Sequence, residues 1–545
     1  MDLAIKILFI ALFFAATIFI GFYCRKKATT SNDFVLGGRN VGPWLSAFAY
    51  GTSYFSAVIF IGYAGSFGLK FGVAAFWIGI GNALIGSWLA WALLGRKTRI
   101  MTQHLNSSTM PDFFAKRFNS EGLRIFAAII IFIFLIPYTA ALYNGLSYLF
   151  NVTFSADVPY WVWILIISIA TGIYVIIGGL MSTALNSFVQ GLIMLVGIAL
   201  VVIFALNLNG GLMGSFEALA SEGWQFTSLF GPDPVHLLFV VLLTSLGCWG
   251  LPQMVGKFYS IKNENQIRKG SIISTAFAII VAGGCYFLGG FGLLFLKADK
   301  SNSKTIIPDM VSQLPVVIVA IVLVLVLAAS MSTLSGLVHT SAATVTFDLM
   351  DRKKTMPEKK KMSWLRILVV AFIIVSAGLA IFQVYGPKNL TKDIASLMGI
   401  SWGAISGAFI GPFFFGLYWK KTTKASVYAS FILGILIAVV GLALSLAGVN
   451  AKIESVSSGF TICWFDFADS IYMGVLAMVL SFIIVPVVSS FTKKPENVEE
   501  TFKCYTQKVV VTSDIALTED IQNANDDTNI VKEAIEENLE TKEEI

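Results

Sequence analysis

Apolar runs of about 20 residues recur along almost the whole chain, and the charged residues lie between them. Of the 545 residues, 56% are hydrophobic and only 13% are charged, whereas soluble domains carry roughly 25% charged residues. In lipid every backbone N–H and C=O group has to be satisfied inside the protein, so such runs fold as helices. The sequence therefore predicts an all-α, polytopic membrane protein.

The apolar runs predict about 13 transmembrane helices, with boundaries uncertain by about 2–4 residues. The spans lie at residues 4–23, 44–69, 73–95, 121–149, 160–179, 184–207, 233–256, 270–296, 308–347, 363–385, 392–418, 424–447 and 468–492. The ninth is too long for one crossing, so part of it is expected outside the bilayer. The first run lacks a basic start and a small-residue cleavage site, and we interpret it as a retained span.

Basic residues are shared unequally between the two sets of alternate loops. One set contains "DRKKTMPEKKKMSWLR" and most of the other Lys and Arg residues, whereas the opposite set contains few. Because basic loops stay in the cytoplasm, the N-terminus is predicted outside and, with an odd number of spans, the C-terminus inside. The net charge of +6 therefore reports topology in the cell membrane and not nucleic-acid binding.

The composition changes abruptly after the last span. We divide the chain into a transmembrane domain, residues 1–494, and an acidic tail, residues 495–545. The tail is poor in aromatic residues, which predicts disorder on the cytoplasmic side. At about 50 residues it is too short for a kinase or another catalytic module.

Ionisable residues are scarce within the predicted spans, and this argues against catalysis. The chain has three histidines, and neither these nor its five cysteines form a nucleophile, zinc or acid–base pattern. His339, near the end of the ninth span, is interpreted as a hydrogen-bonded packing residue. A proton relay normally needs several buried acids or histidines, so proton coupling is disfavoured. An enzyme is not expected.

Two predicted helices are interrupted near their middle by residues that favour helix poorly. The first break lies in "GTSYFSAVIFIG" in the second span, and the other in "TSLGCWGLPQMVG" in the seventh. Each break opens a set of five spans, so core repeats are predicted at about residues 44–207 and 233–418. Matching breaks are typical of inverted-repeat transporters, in which unwound backbone binds an ion or substrate. Close packing at glycine is the alternative explanation for either break.

The segment "LAASMSTLSGLVHTSAATV" in the ninth span is dense in hydroxyl groups. Most of these side chains are expected to bond the carbonyl one helical turn back. Ser332 and Thr333 differ because Ala328 and Ala329 beside them let another backbone approach. Hard oxygen donors of this kind suit a hard cation such as sodium.

Four segments carry a resemblance to a known family. They are "FVLGGRNVGPWLSAFAYGTSYFSAVIFIG", "IGGLMSTALNSFVQG", "GLPQMVGKFYS" and "AASMSTLSG". In order and spacing they resemble the sodium/solute symporter family, which includes bacterial proline, pantothenate and sialic acid transporters and the sodium/glucose transporters. The resemblance runs from about residue 4 to residue 492. It implies a leucine-transporter-type core of two inverted five-helix repeats, with one extra span before the core and two after it.

The resemblance also implies a sodium site between the first and eighth core helices. Its ligands would be the carbonyls of Thr52, Phe55 and Ala329 and the hydroxyls of Ser332 and Thr333. Five neutral oxygens without a carboxylate suit an ion that has to leave in every cycle. Many family members carry an acidic residue at the position of Ser187, so a second sodium ion is not expected here.

Substrate contacts are expected from residues that face the two breaks. These are Tyr54, Ser56 and Ala57 in the second span, Thr244, Trp249 and Pro252 in the seventh, and Tyr138 and Trp402 elsewhere as weaker candidates. Packing at the interface is the alternative for any single aromatic residue. With no buried arginine or lysine expected, a neutral or zwitterionic solute fits best. A monocarboxylate stays open, because it can pair with sodium or with a half-helix N-terminus.

The leading hypothesis is sodium-coupled uptake of a small organic solute across the lipid bilayer by alternating access. A sensor that keeps the transporter fold and signals through its tail is the first alternative, and a proton-coupled transporter is another. A channel is disfavoured because the interrupted helices indicate a closed site at the midplane. Proline is disfavoured as the solute, because proline transporters have an aspartate where this chain has Tyr54.

Overall fold

The computed structural model describes residues 2–24, 30–154, 158–295, 306–353, 355–387, 394–457 and 460–505. These ranges are almost entirely helical. The first ten helices are α1 (Asp2–Cys24), α2 (Ser31–Leu36), α3 (Pro43–Tyr54), α4 (Ala64–Phe71), α5 (Phe76–Gly81), α6 (Arg96–His104), α7 (Met110–Phe118), α8 (Glu121–Phe154), α9 (Tyr160–Asn207) and α10 (Gly211–Glu222).

The other helices are α11 (Pro234–Leu246), α12 (Pro252–Tyr259), α13 (Asn265–Ala278), α14 (Gly284–Gly290), α15 (Ile306–Ser312), α16 (Val316–Thr344), α17 (Glu358–Tyr385), α18 (Ile394–Tyr418), α19 (Lys424–Leu446), α20 (Ser470–Phe491) and α21 (Val498–Phe502). Turns of π-helix extend or join several of them, at Val58–Tyr63, Asn82–Leu89, Trp91–Gly95, Ile279–Gly283 and Val345–Met350.

Eleven helices of the described chain are long and apolar enough to cross a membrane, or twelve if the bent pair around residue 250 is one span. The difference from the predicted thirteen arises in the second span, because α3 stops at Tyr54 and helix resumes only at Ala57. The all-α polytopic class is confirmed, and the predicted number is approximate. The ninth predicted span divides before α16, as its length required.

Loops that the charge pattern assigned to one side of the membrane meet in the structure. On the predicted cytoplasmic side the Arg39 guanidinium donates to the backbone carbonyls of Thr102 and Tyr259. On the predicted outer side the Lys6 ammonium donates to the carbonyl of Thr153 at 2.8 Å. These particular segments therefore meet as the charge pattern predicts, and the side of the membrane on which each group lies stays a prediction.

The turn that leads into α3 depends on two glycines. Gly37, Gly38 and Arg39 have φ angles of 58°, 63° and 54°, a region that glycine adopts without steric cost. The turn places the Arg39 guanidinium against the carbonyls named above. Burial lowers the pKa of Arg39 to about 10, so the guanidinium remains charged at neutral pH.

A β-hairpin lies between α19 and α20, and the sequence analysis did not predict it. Its strands are β1 (Lys452–Ser457) and β2 (Phe460–Asp466), paired antiparallel with Lys452 opposite Asp466. The available signal was the alternation of polar and apolar residues on both sides of the "SSG" in "KIESVSSGFTICWFD".

The beginning of the acidic tail is packed against the transmembrane domain. The Arg117 guanidinium lies 4.9 Å from the ring centroid of Phe502, which is buried. The Tyr505 hydroxyl donates to the backbone carbonyls of Lys97 and Leu417. The prediction of a disordered tail does not hold for 498–505, and it stays a prediction for 506–545, which lie outside the described residues.

Candidate functional site

The first broken helix is opened by a change in backbone conformation at Phe55. This residue has φ −86° and ψ 130°, which is extended and ends α3 at Tyr54. In a continuous helix the N–H of Ala57 would bond the carbonyl of Ser53, but here it donates to Ser330 Oγ at 3.0 Å. The break is thus stabilised by a hydroxyl from α16, and it leaves carbonyl oxygens of α3 available for other partners.

These carbonyl oxygens converge on the hydroxyl of Thr333. Thr333 Oγ1 lies 3.3 Å from the carbonyl oxygen of Thr52, 3.4 Å from that of Ser53, 3.2 Å from that of Phe55 and 3.2 Å from that of Ala329. A hydroxyl has one hydrogen and can satisfy only one or two acceptors at a time. Four carbonyl dipoles aimed at one point make a site that attracts a cation.

Ser332 adds a second hydroxyl to the same cluster. Its Oγ lies 2.7 Å from Thr52 Oγ1 and 2.8 Å from Ser187 Oγ. The five predicted sodium ligands therefore lie together, joined by the carbonyl of Ser53. Ser187 was considered only as a missing acid, and its contact with Ser332 was not predicted. The donor set is neutral, because it consists of carbonyl and hydroxyl oxygens. Across the described residues no group of three or more His, Cys, Asp or Glu side chains could hold a metal.

Three aromatic side chains from three helices lie beside the break. The ring centroid of Trp402 is 6.0 Å from that of Tyr54 and 5.9 Å from that of Tyr138. The two tyrosine hydroxyls and Trp402 Nε1 are buried, and none of them makes a hydrogen bond of good geometry with a described residue; Tyr54 lies near Thr244 and Tyr138 near Trp402. Buried polar groups are normally hydrogen-bonded, so these three atoms mark a place where a solute or water would bind. Tyr138 and Trp402, the weaker candidates of the sequence analysis, are thus next to Tyr54.

Two residues that the sequence analysis missed extend this polar lining. Asn82 Oδ1 accepts a hydrogen bond from Ser245 Oγ at 3.0 Å, whereas Asn82 Nδ2 has no partner among the residues described. The hydroxyl of Tyr286 is also buried, and it lies close to Tyr54 and Asn82 without a hydrogen bond of good geometry to either. The signal in the sequence was an asparagine in the third span, at a depth where an amide is costly unless it is used.

The remaining predicted contacts in the first broken helix, and Thr244, lie close to this lining. Ser56 Oγ is buried and unpartnered within the described chain. Ala57 is fully buried and uses its N–H on Ser330. The Thr244 hydroxyl, near Tyr54, donates to the carbonyl of Val240 in its own helix. Of these three, Ser56 retains a free polar atom for a solute.

Trp249 and Pro252, the other two substrate contacts predicted in the seventh span, do not belong to the polar lining around Tyr54. Trp249 Nε1 donates to the carbonyl of Ile85 at 3.0 Å, and its ring stacks on Phe414 with centroids 6.4 Å apart. The indole N–H is therefore already hydrogen-bonded and the ring is packed. This agrees with the alternative interpretation, that an aromatic residue here serves packing and not substrate binding. Pro252, the first residue of α12, lines a separate cavity that follows the second break.

This second cavity has a volume of about 60 Å³, and Gln253, Lys257, Tyr259 and His339 also line it. Lys257 was assigned to a cytoplasmic loop, but it is 7% exposed and belongs to α12. The expectation that no arginine or lysine is buried is therefore wrong, since Arg99, Arg117 and Arg124 are buried as well.

His339 was interpreted as a hydrogen-bonded packing residue. Its ring packs on that of Phe34, with centroids 5.1 Å apart, and lies beside the backbone of Phe34 and Val35, although neither ring nitrogen makes a hydrogen bond of good geometry with a described residue.

A membrane-spanning helix broken at a cluster of neutral oxygens, beside buried aromatic residues with free polar atoms, is the arrangement of a secondary active transporter. The sequence matches the sodium:solute symporter family over residues 34–434. The chain belongs to that family: it is a multi-pass membrane protein that couples the movement of a small solute to sodium, and not an enzyme.

Relatives and a solved structure agree with this assignment. The osmoregulated proline transporter of Bacillus subtilis is 28% identical over 502 residues, which cover 90% of this chain and 95% of that protein. The sodium/proline symporter of Staphylococcus aureus is 28% identical over 513 residues, covering 90% and 94%. A substrate-bound, outward-open Na⁺-coupled sialic acid symporter superposes with a TM-score of 0.70 at 17% identity, covering 90% of this chain and 98% of that one. The predicted leucine-transporter-type fold is confirmed.

Proposed function

We propose that this protein takes up a small organic solute by alternating access, with one sodium ion per solute. The ion would be held by the carbonyls of Thr52, Phe55 and Ala329 and by the hydroxyls of Ser332 and Thr333. The observation that carries the proposal is the convergence of carbonyl oxygens, at 3.2–3.4 Å, on the single hydroxyl of Thr333. Membership of the symporter family does not favour the alternative of a sensor.

The proposed ion site links two helices that belong to different repeats. Thr52 and Phe55 follow the course of α3, whereas Ala329, Ser332 and Thr333 belong to α16. A bound sodium ion would stabilise conformations in which these helices are close, because a ligand shifts the equilibrium toward the state that binds it better. Its loss into a low-sodium cytoplasm would remove this link and favour release of the solute.

The solute is expected to bind beside the ion, against the free polar atoms of the aromatic lining. Tyr54, Tyr138 and Tyr286 offer hydroxyls, and Asn82 and Trp402 offer N–H donors. This lining contains no charged group, so a neutral, zwitterionic or monocarboxylate solute fits it, the charge of a carboxylate being balanced by sodium. Proline is the first compound to test because of the two relatives, although Tyr54 stands where proline transporters have an aspartate.

Uptake into proteoliposomes is expected to stop when sodium is replaced by choline or potassium, even with an imposed proton gradient. The reason is that the described core offers neutral oxygens to an ion and no chain of acids to a proton. A solute screen under an inward sodium gradient provides the substrate for this measurement. The ratio of charge to solute tests the stoichiometry, and one positive charge per neutral or zwitterionic molecule is expected. Uptake that continues in choline would favour proton coupling.

The sidedness of the protein is proposed from the basic loops, with the N-terminus outside and the C-terminus of the 1–494 domain inside. Cysteine placed at Ser221 should react with an impermeant maleimide added to intact cells, whereas cysteine placed at Lys359 should react only after permeabilisation. Both side chains are exposed, so burial does not limit the reaction. Cys463 is half-buried and is replaced by serine in both variants. The reverse pattern of labelling would invert the proposed topology.

A further inference from the structure

The cavity that follows the second break contains a buried ammonium group with no counter-ion. The ammonium of Lys257 makes no ion pair and no hydrogen bond with any described residue, although the residue is 7% exposed; only the backbone carbonyl of Lys257 accepts, from Ser260 Oγ. An unpaired charge in a low-dielectric surrounding is strongly unfavourable. In membrane proteins such groups mark the path of a solute or ion. To remain charged in this cavity, Lys257 needs an anionic partner that the described chain does not supply.

Two aspartates that bond Thr109 in the cavity lining have carboxylates that are already used by other groups. Asp112 Oδ1 accepts from Arg124 at 2.8 Å, and its Oδ2 lies 2.9 Å from the ammonium of Lys116. Asp348 Oδ2 accepts from the hydroxyl of Thr109 at 2.7 Å. Both carboxylates are therefore engaged with other partners. The ammonium of Lys257 has no counter-ion among the described residues.

Three neutral side chains around Lys257 also carry unused polar atoms. Gln253 is 2% exposed, Tyr259 is 1% exposed and His339 is 6% exposed. Both amide atoms of Gln253 and the hydroxyl of Tyr259 are without partners in the described chain. The ring nitrogens of His339 lie beside the backbone of Phe34 and Val35 but make no hydrogen bond of good geometry. One ammonium with several neutral hydrogen-bond donors around it is the set that binds a carboxylate, which accepts up to four hydrogen bonds.

The cavity lies between the second helix break and a larger cavity on the predicted cytoplasmic side. Pro252 and Gln253 come directly after the second break, which adjoins the central site. Ser108 and Thr109 line this cavity and also a larger polar cavity of about 220 Å³, which opens among residues of the predicted cytoplasmic side such as Lys361. A solute that leaves the central site inward would meet Lys257 before it reaches the cytoplasm.

We propose that Lys257, with Gln253, Tyr259 and His339, forms an inner subsite for the carboxylate group of the transported solute. This inference rests on the proposed function and narrows its substrate class to solutes that contain a carboxylate, zwitterionic or monoanionic. At the central site sodium balances the carboxylate. Once sodium has left, Lys257 supplies the positive charge, so the solute moves on without carrying an unbalanced charge through the protein.

Propionate binding to the purified full-length protein tests the subsite without knowledge of the natural solute. The titration uses potassium salts at constant ionic strength, so the sodium site plays no part. Propionamide has the same shape without the charge, and chloride controls for a general anion effect. We expect propionate to bind, and both propionamide and chloride to bind at least about tenfold more weakly, because charge-assisted hydrogen bonds are lost or not matched.

Lys257→Met is expected to raise the propionate Kd by about tenfold or more, and Lys257→Arg is expected to retain most of the binding. Gln253→Leu should weaken binding to a smaller extent. Lys269→Met removes an exposed lysine from α13 and serves as the matched control, with an unchanged Kd. Without any anion, Lys257→Met should have an equal or higher Tm, because it removes an unpaired buried charge. This stability measurement separates a lost site from a misfolded protein.

Equal binding of propionate to Lys257→Met and to the unmodified protein would overturn the inference, and so would equal binding of propionamide or chloride. A transported solute without a carboxylate would also overturn it. The proposed function is tested separately by sodium-dependent uptake. If uptake proved independent of sodium while propionate binding still required Lys257, the function would be wrong and the anion site correct.

Discussion

Replacing Thr333 by alanine is expected to raise the sodium concentration for half-maximal uptake about tenfold or more. The change removes the oxygen on which the carbonyls of Thr52, Phe55 and Ala329 converge. Loss of one such ligand costs about 1–3 kcal/mol, and 1.4 kcal/mol corresponds to a factor of ten in affinity. The measurement is the initial rate of uptake as a function of sodium concentration, with the solute identified by the screen. At saturating sodium the rate should recover in large part.

Two variants control this result. Thr333→Ser keeps the hydroxyl and removes one methyl group, so its sodium dependence should stay close to that of the unmodified protein. Thr171→Ala removes a buried hydroxyl that donates to the carbonyl of Ile167 in its own helix, at 2.8 Å, and should not change the sodium dependence. If Thr333→Ala behaves as Thr171→Ala does, the oxygen cluster is a packing arrangement and the ion binds elsewhere.

Replacing Gly68 by valine is expected to prevent correct folding or to lower stability by about 3 kcal/mol or more, the upper range for overpacking. Gly68 of α4 and Gly289 of α14 lie where the two helices touch. A Cβ at Gly68 would be 1.8 Å from the carbonyl oxygen of Gly289, and a Cβ at Gly289 would be 2.3 Å from that of Ala64. The obstructing atoms are backbone, so no side chain can rotate away and the helices would have to separate. The yield of monodisperse protein on size exclusion and its Tm in detergent measure the effect.

Gly378→Ala is the matched control for this helix contact. Gly378 lies in α17, and a Cβ there would have no heavy atom within 4 Å. Alanine favours helix over glycine by about 1 kcal/mol in water, so this variant should be as stable as the unmodified protein or more so. A normal yield and Tm for Gly68→Val would contradict the close approach of α4 and α14.

The helical architecture and the position of the oxygen cluster around Thr333 were largely predictable from the sequence. Each span satisfies its own backbone hydrogen bonds, so length and apolarity are enough to find it. The hydroxyls and glycines of "GTSYFSAVIFIG" and "AASMSTLSG" are contiguous, and the resemblance placed Thr52 and Thr333 in one site. In the structure they do meet, at 3.3 Å between Thr333 Oγ1 and the Thr52 carbonyl oxygen.

The residues that complete the site could not be predicted in this way. Ser187, Asn82 and Tyr286 come from spans that are distant in sequence, and each looks like an ordinary polar residue in its own segment. Whether their side chains face the break depends on how the helices are rotated and cross, which is a property of packing between helices. The sequence therefore showed that Ser187 is not an acid, but not that it bonds Ser332.

Lys257 shows most clearly what the sequence by itself determined and what the tertiary structure decided. The sequence determined that a lysine follows the second break by a few residues, and the charge pattern placed it in a loop beside water. Only the tertiary structure enclosed it, by continuing α12 to Tyr259 and packing it beside His339 of α16. From the sequence, a charged residue at the end of a span is predicted to be exposed to water. The local pattern cannot show that a helix distant in sequence packs over it. Its burial without a counter-ion, and with it the inner carboxylate subsite, follows from how distant segments pack.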